Sequence, residues 1–147
     1  MKKITFLVLA IAMVFTACED DDLRNSDIPS VVLNGFTEKF TKATNVEWEK
    51  MADVFEAEFE VDRVEYNAIL NLDGTIVKYK YTISYDALPQ AVQASITADY
   101  DSTKIDDIEL IQISEMSYYQ VEFDAEPNDN KIIFEKSGET ANDVAPW

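Results

Sequence analysis

Along most of this chain, apolar and polar residues recur with one of two periods. Val32, Phe36 and Phe40 stand four residues apart, with Leu33 beside them, which puts them on one face of a helix. Pro29 falls in the first turn, where its missing N–H costs nothing. Gly35 lies inside the helix, at a cost of about 1 kcal/mol relative to Ala. A short strand, Val46-Glu47-Trp48-Glu49, follows, with Trp48 on its apolar side. From Phe55 the period is two. Phe55, Ala57, Phe59 and Val61 face one way, and Glu56, Glu58, Glu60 and Asp62 the other. Asp62-Arg63 reads as a tight turn, after which Tyr66, Ala68, Leu70 and Leu72 continue the inward face. Asp73-Gly74 marks a hairpin, because glycine accepts the positive φ that such turns need. Val77, Tyr79, Tyr81 and Ile83 complete the inward face, with Lys78 and Lys80 outward.

The second half repeats the first. Ile28-Pro29 matches Leu88-Pro89 at a spacing of 60, as Phe36 matches Ile96 and Phe40 matches Tyr100. Val92, Ile96 and Tyr100 predict a second amphipathic helix. Further on the spacing is 64: Phe55 to Glu60 matches Tyr119 to Asp124, Ile69-Leu70 matches Ile133-Phe134, and Gly74 matches Gly138. Preserved order over the whole unit is the mark of an internal repeat. Ile105 to Glu115 reads as a longer strand in which Ile108 and Leu110 are out of phase with Ile111 and Ile113. A bulge, or burial on both faces, accounts for that. Tyr119, Val121, Phe123 and Ala125 alternate with Gln120, Glu122 and Asp124. Pro127 to Asn130 is a turn cluster, and Lys131 to Glu135 is the return strand.

A sheet with one apolar face must cover it, and an amphipathic helix is the simplest cover. The class is α+β: two tandem helix-on-antiparallel-sheet units, expected to share one continuous sheet with both helices on one face. A unit of this size alone is marginal. The expected divisions are a leader over 1–17, a tether over 18–27, units over 28–84 and 85–140, and a polar tail over 141–147. Trp147 in that tail is given no role.

The leader begins with Lys2 and Lys3, followed by an apolar run from Ile4 to Phe15. That run is too short to span a bilayer and suits a signal peptide. Val14-Phe15-Thr16-Ala17-Cys18 resembles a bacterial lipobox, with Phe where Leu is commoner. The resemblance implies diacylation of Cys18 and membrane anchoring through it, since several acyl chains hold where one is marginal. Glu19 to Asp22 form an acidic run. It reads either as a surface-export signal like that of some Gram-negative lipoproteins or as a solvated spacer. The expected location is the outer membrane, facing the periplasm or the exterior.

Charge narrows the functional classes. There are 29 acidic and 12 basic residues among 147, for a formal charge of −17. Loss of residues 1–17, with two lysines and no acid, takes it to −19. Such acidity argues against nucleic-acid binding. With no histidine and one cysteine, Cys–His and Ser–His–Asp catalysis are excluded, as are the usual zinc sites and an internal disulfide.

Taken in order, Ile28-Pro29, Leu88-Pro89, Val46-Glu47-Trp48-Glu49, Phe55-Glu-Ala-Glu-Phe59 and Asp73-Gly74 resemble the β-lactamase-inhibitor-like, PepSY-like domain family of secreted bacterial proteins. The resemblance covers residues 28–140. The second copy departs from it with Ile108 where the first has Trp48, and with Ser137 before its glycine. It implies tandem helix-on-sheet units and export to the envelope, and it brings no activity and no binding residue. The inhibitor that lends the family its name presents a concave sheet to its target enzyme; likeness of fold alone does not transfer that role.

The most distinctive candidate chemistry is the Glu56, Glu58, Glu60, Asp62 stripe. Alternate side chains on a strand lie about 6.5–7 Å apart, so the carboxylates need compensation. Calcium takes oxygen ligands, but the chain lacks a D-x-D-x-D-G loop and a flat strand converges ligands poorly. A solvated outer face partly neutralised by Lys78 and Lys80 is favoured, and an acidic surface that steers a basic partner stands between the two. Trp48 and Tyr118 are candidate aromatic contacts, Tyr118 because its phase opposes that of Tyr119. Tyr66, Tyr79 and Tyr81 are expected in the core. The function expected is a non-enzymatic envelope lipoprotein that binds a protein or peptide, as inhibitor or regulator, through the open sheet face or the inter-unit surface. The alternatives are a calcium- or small-ligand-binding module using the acidic face and, less favoured, a small hydrolase using two carboxylates. No catalytic residue, metal-ligand set or cofactor is assigned.

Overall fold

The computed structural model describes residues 23–147. Cys18 and the leader lie outside the described residues. The periodic segments form two helices, α1 (Ser30–Lys39) and α2 (Gln90–Asp99). They also form seven strands: β1 (Thr44–Met51), β2 (Val54–Val61), β3 (Val64–Asn71), β4 (Ile76–Thr82), β5 (Ile105–Ile113), β6 (Met116–Phe123) and β7 (Asn130–Glu135). Sheet order equals chain order, and every neighbouring pair is antiparallel. Asp62 and Arg63 have φ of 51° and 70°, the double left-handed turn that suits the twist of a two-residue hairpin.

Strand β4 belongs to both units. It pairs with β3 on one edge and with β5 on the other, so the two repeats share one sheet. Tyr79 packs with the α1 core, and Tyr81 pairs with Leu110, which packs with the α2 core. Both helices therefore cover the same face. Val32, Phe36 and Phe40 of the first repeat meet Trp48, Phe55, Phe59 and Leu70. Edge-on ring contacts tie this core together, with Phe36 to Phe59 at 4.8 Å and Phe36 to Trp48 at 5.0 Å. Val92 and Ile96 do the same against Ile108, Val121, Phe123 and Phe134.

Two inward assignments are corrected. Leu72 is 50% exposed and Val77 is 37% exposed. Leu72 lies in the β3–β4 turn. A register shift there sets Ile76 opposite Leu70 and Lys78 opposite Ile69, leaving Val77 as the extra residue. Ile76 takes the inward place instead. Of the two accounts of β5, burial on both faces explains the phase: Ile108 and Leu110 face α2, while Ile111 and Ile113 face a second, smaller core.

The cover of that smaller core is the final segment. Gly138 repeats the turn made by Gly74, and Phe134 bridges Thr140 as Leu70 pairs with Ile76, at the same spacing of 64. The second repeat thus begins a fourth strand and then abandons it. Beyond Ala141 the chain crosses to the helix-free face, where Ala141, Val144 and Trp147 pack on Ile111, Ile113, Tyr118 and Ile133. The 141–147 tail is structural, contrary to the polar tail expected.

Gly35, costly for helix propensity, is explained by its neighbour. A Cβ at this position would be driven into the Gly74 carbonyl oxygen, and one at Gly74 into the Val31 carbonyl. Helix and hairpin touch backbone to backbone. In the second repeat Ser95 stands where Gly35 does, and its hydroxyl donates to the Gly138 carbonyl at 2.8 Å. Gly35→Ala is therefore expected to destabilise the protein by about 2 kcal/mol or more despite the better helix former. Urea unfolding checks this; a gain in stability would contradict the close packing.

Candidate functional site

The helix-free face is the part of the sheet that the helices leave available. Strand phase decides what it carries. Glu56, Glu58 and Glu60 of β2 point to it, as the period of two requires. Asp62 does not join them: it sits in the left-handed turn and accepts from Lys42 Nζ at 3.4 Å. Instead β1 completes the patch, because Glu47 lies opposite Glu58 and Glu49 opposite Glu56. Glu65 lies opposite Glu60. The same alternation that turns Trp48 inward turns Glu47 and Glu49 outward, so these two were readable from the sequence.

Like charges directly opposite one another destabilise a sheet. The expected compensation by Lys78 and Lys80 is only partial: the charge of Glu56 acts on Lys78, but neither lysine forms an ion pair with the row. Lys80 Nζ donates to Glu109 Oε1 at 2.6 Å, in a pair whose side chains are largely buried. Lys78 lies 4.1 Å from the centre of the Trp147 ring. Among the described residues, no ion pair involves Glu47, Glu49, Glu56, Glu58, Glu60 or Glu65. Glu47, Glu49, Glu56 and Glu58 border a cleft of about 170 Å³. Among the described residues no three carboxylates are placed to hold a metal ion, so the calcium alternative finds no ligand set.

Beside this patch, Trp147 is read by side chains from four strands, Lys131 of β7 reaching its carbonyl oxygen at 3.5 Å. Its indole N–H donates to Glu56 Oε1 of β2 at 3.2 Å. Its ring lies against Lys78 of β4, with Lys80 at 5.4 Å. Its backbone N–H donates to Gln120 Oε1 of β6 at 2.8 Å. Gln120 is 1% exposed, and its amide donates to Glu109 Oε2 at 2.6 Å. Lys80, Glu109, Gln120 and Trp147 thus form one satisfied chain under the final segment, the only form in which buried polar groups are inexpensive. Burial lowers the pKa of Lys78; Glu56 opposes the shift and Lys80 adds to it.

Neither aromatic candidate lies on a surface. Trp48 is 2% exposed, in the α1 core, because β1 turns it inward. Tyr118 is 9% exposed: its phase does oppose that of Tyr119, but the final segment covers it. Tyr66, Tyr79 and Tyr81 are on the helix side as expected, yet only half-buried. With Lys39, Phe40 and Lys42 they line a cleft of about 300 Å³ at the end of α1. Tyr66 and Tyr81 stack at 4.7 Å.

Burial first, then the neighbouring phenols, raises the pKa of Tyr66 and of Tyr81 above 10.0. A raised folded pKa makes their contribution to stability complete below the unfolded value, and lost as pH rises through the folded one. Ultraviolet titration is expected to show two phenols ionising late, and Tyr66→Phe to remove one of them. Uniform ionisation near pH 10.0 would contradict the placement of these rings.

None of the curated proteins matches this chain in sequence. Solved structures match in fold. A Bacteroides eggerthii protein described as a "putative periplasmic" protein is 18% identical with a TM-score of 0.70, over 78% of this chain and 86% of that one. A DUF2874 family protein from Bacteroides uniformis is 18% identical with a TM-score of 0.69, over 78% and 86%. A BLIP-like protein from Bacteroides fragilis is 15% identical with a TM-score of 0.68, over 78% and 83%. The family model described as "Putative beta-lactamase-inhibitor-like, PepSY-like" matches twice, over residues 13–78 and 73–141. Those two matches take in both helix-on-sheet repeats, and the chain belongs to that PepSY-like, beta-lactamase-inhibitor-like family.

Proposed function

We propose that this chain is an exported, lipid-anchored envelope protein without catalytic activity, and that its helix-free sheet face binds a basic protein or peptide. The observation that carries the reading is the carboxylate patch of Glu47, Glu49, Glu56 and Glu58 on that face, in which none forms an ion pair among the described residues and only Glu56 accepts hydrogen bonds, from Trp147 and Asn67. Opposed like charges cost stability, and a row of them without an ion-pair partner among the described residues is a surface for a cationic one. Export is supported by the leader and Cys18, and agrees with the description of the Bacteroides eggerthii structure. A non-enzymatic role agrees with the inhibitor-like family.

Cross-linking in the native envelope, followed by pull-down at low and high salt, tests the reading. The expected result is a partner whose capture weakens with salt. Capture is also expected to fall in the variant combining Glu47→Gln, Glu49→Gln, Glu56→Gln and Glu58→Gln. Unchanged capture by that variant would overturn the reading. In the same cells, Cys18→Ala is expected to leave the membrane fraction; retention there would overturn lipid anchoring.

A further inference from the structure

Trp147 occupies a place lined by side chains of β2, β4, β6 and β7. Glu56 accepts from the ring N–H, Lys78 lies against the ring, Gln120 accepts from the backbone N–H, and Lys131 Nζ reaches the backbone carbonyl at 3.5 Å. Ring, donor and acceptor are each matched, and Gln120 is almost wholly buried. These contacts read an aromatic ring with an N–H donor and the main-chain groups of the residue that carries it.

Its present occupant is held by side-chain contacts and not by strand pairing. After Thr140 bridges Phe134, the segment makes no strand pairing among the described residues, and Asn142, Asp143, Ala145 and Pro146 are exposed. The occupant meets Lys78, Lys80 and Lys131 within the slot but brings no cation to the carboxylates beyond it. Residues 137–147 carry Glu139 and Asp143 and no basic residue, while the unpaired carboxylates Glu47, Glu49 and Glu58 lie next to the slot. A segment with Lys or Arg flanking an aromatic residue would fill the slot and neutralise the patch together.

We propose that the slot formed by Glu56, Lys78 and Gln120 is the receptor for an aromatic residue of a basic partner segment, and that Trp147 is its intramolecular competitor. The proposal rests on the reading of the helix-free face as the binding surface. A tethered occupant acts at high effective concentration, so the partner's apparent affinity is reduced by the fraction of molecules in which Trp147 is seated.

The test uses the whole mature chain and the peptide acetyl-Lys-Trp-Lys-amide, with acetyl-Glu-Trp-Glu-amide and acetyl-Lys-Ala-Lys-amide as controls, measured by calorimetry. Trp147→Ala is expected to tighten binding of the basic aromatic peptide by about tenfold or more. Neither control peptide should gain comparably. A second readout needs no substitution: in the unaltered protein, saturating peptide is expected to shift the indole N–H resonance of Trp147 and leave that of Trp48 in place. Equal affinity for the unaltered and Trp147→Ala proteins, or binding that leaves the Trp147 resonance unmoved, overturns the proposal. If the peptide fails while envelope capture still depends on the four glutamates, the slot assignment falls and the face reading stands. If capture is indifferent to the glutamates, the face reading falls.

Discussion

Strand β4 is hydrogen-bonded along both edges, to β3 within its own repeat and to β5 of the next. Without that double pairing there would be two small helix-on-sheet units, each with an exposed edge and a core too small to hold securely. With it there is one seven-stranded sheet, and the two faces acquire different fates. Both helices settle on one side. The other side is continuous from Glu47 of β1 to Glu135 of β7, and the partner binding proposed for this protein takes place on it.

That second side is divided. Over β5 to β7 it carries Ile111, Ile113, Tyr118 and Ile133, which water would not tolerate as a continuous patch. The chain covers them with its own residues 141–147, and Trp147 reaches from there towards β2. Over β1 and β2 the face carries carboxylates and no cover. Lys78 and Lys80, which could have neutralised them, are engaged by Trp147 and Glu109. The boundary between the covered and the acidic halves is thus the Trp147 slot itself, where the indole donates to Glu56 and lies against Lys78.

Much of this was legible in residue order. The helices, the strands, the repeat and the single sheet follow from periods of 3.6 and 2 and from Asp62-Arg63 and Asp73-Gly74. Failures came where a local event broke the period. The register shift at Val77 exchanged its place with Ile76, and the left-handed turn took Asp62 out of the acidic row. The final segment was missed because it has no period; it is held by single contacts to strands far away in the chain. A signal for it did exist. Ile111 and Ile113, out of phase with Ile108 and Leu110, demanded a second cover, and Ala141, Val144 and Trp147 supply it. Exposure of Trp48 and Tyr118 depends on what lies across the sheet, which alternation alone does not report.

A partner on the helix-free face leaves the helices free. Carboxyl footprinting of the mature protein with its envelope partner bound reads this residue by residue. Labelling of Glu47, Glu49 and Glu58 is expected to fall on binding, while exposed Glu38 of α1 and Asp99 of α2 label as before. Protection of Glu38 or Asp99 with the β1–β2 glutamates unchanged would place the partner on the helices and contradict it.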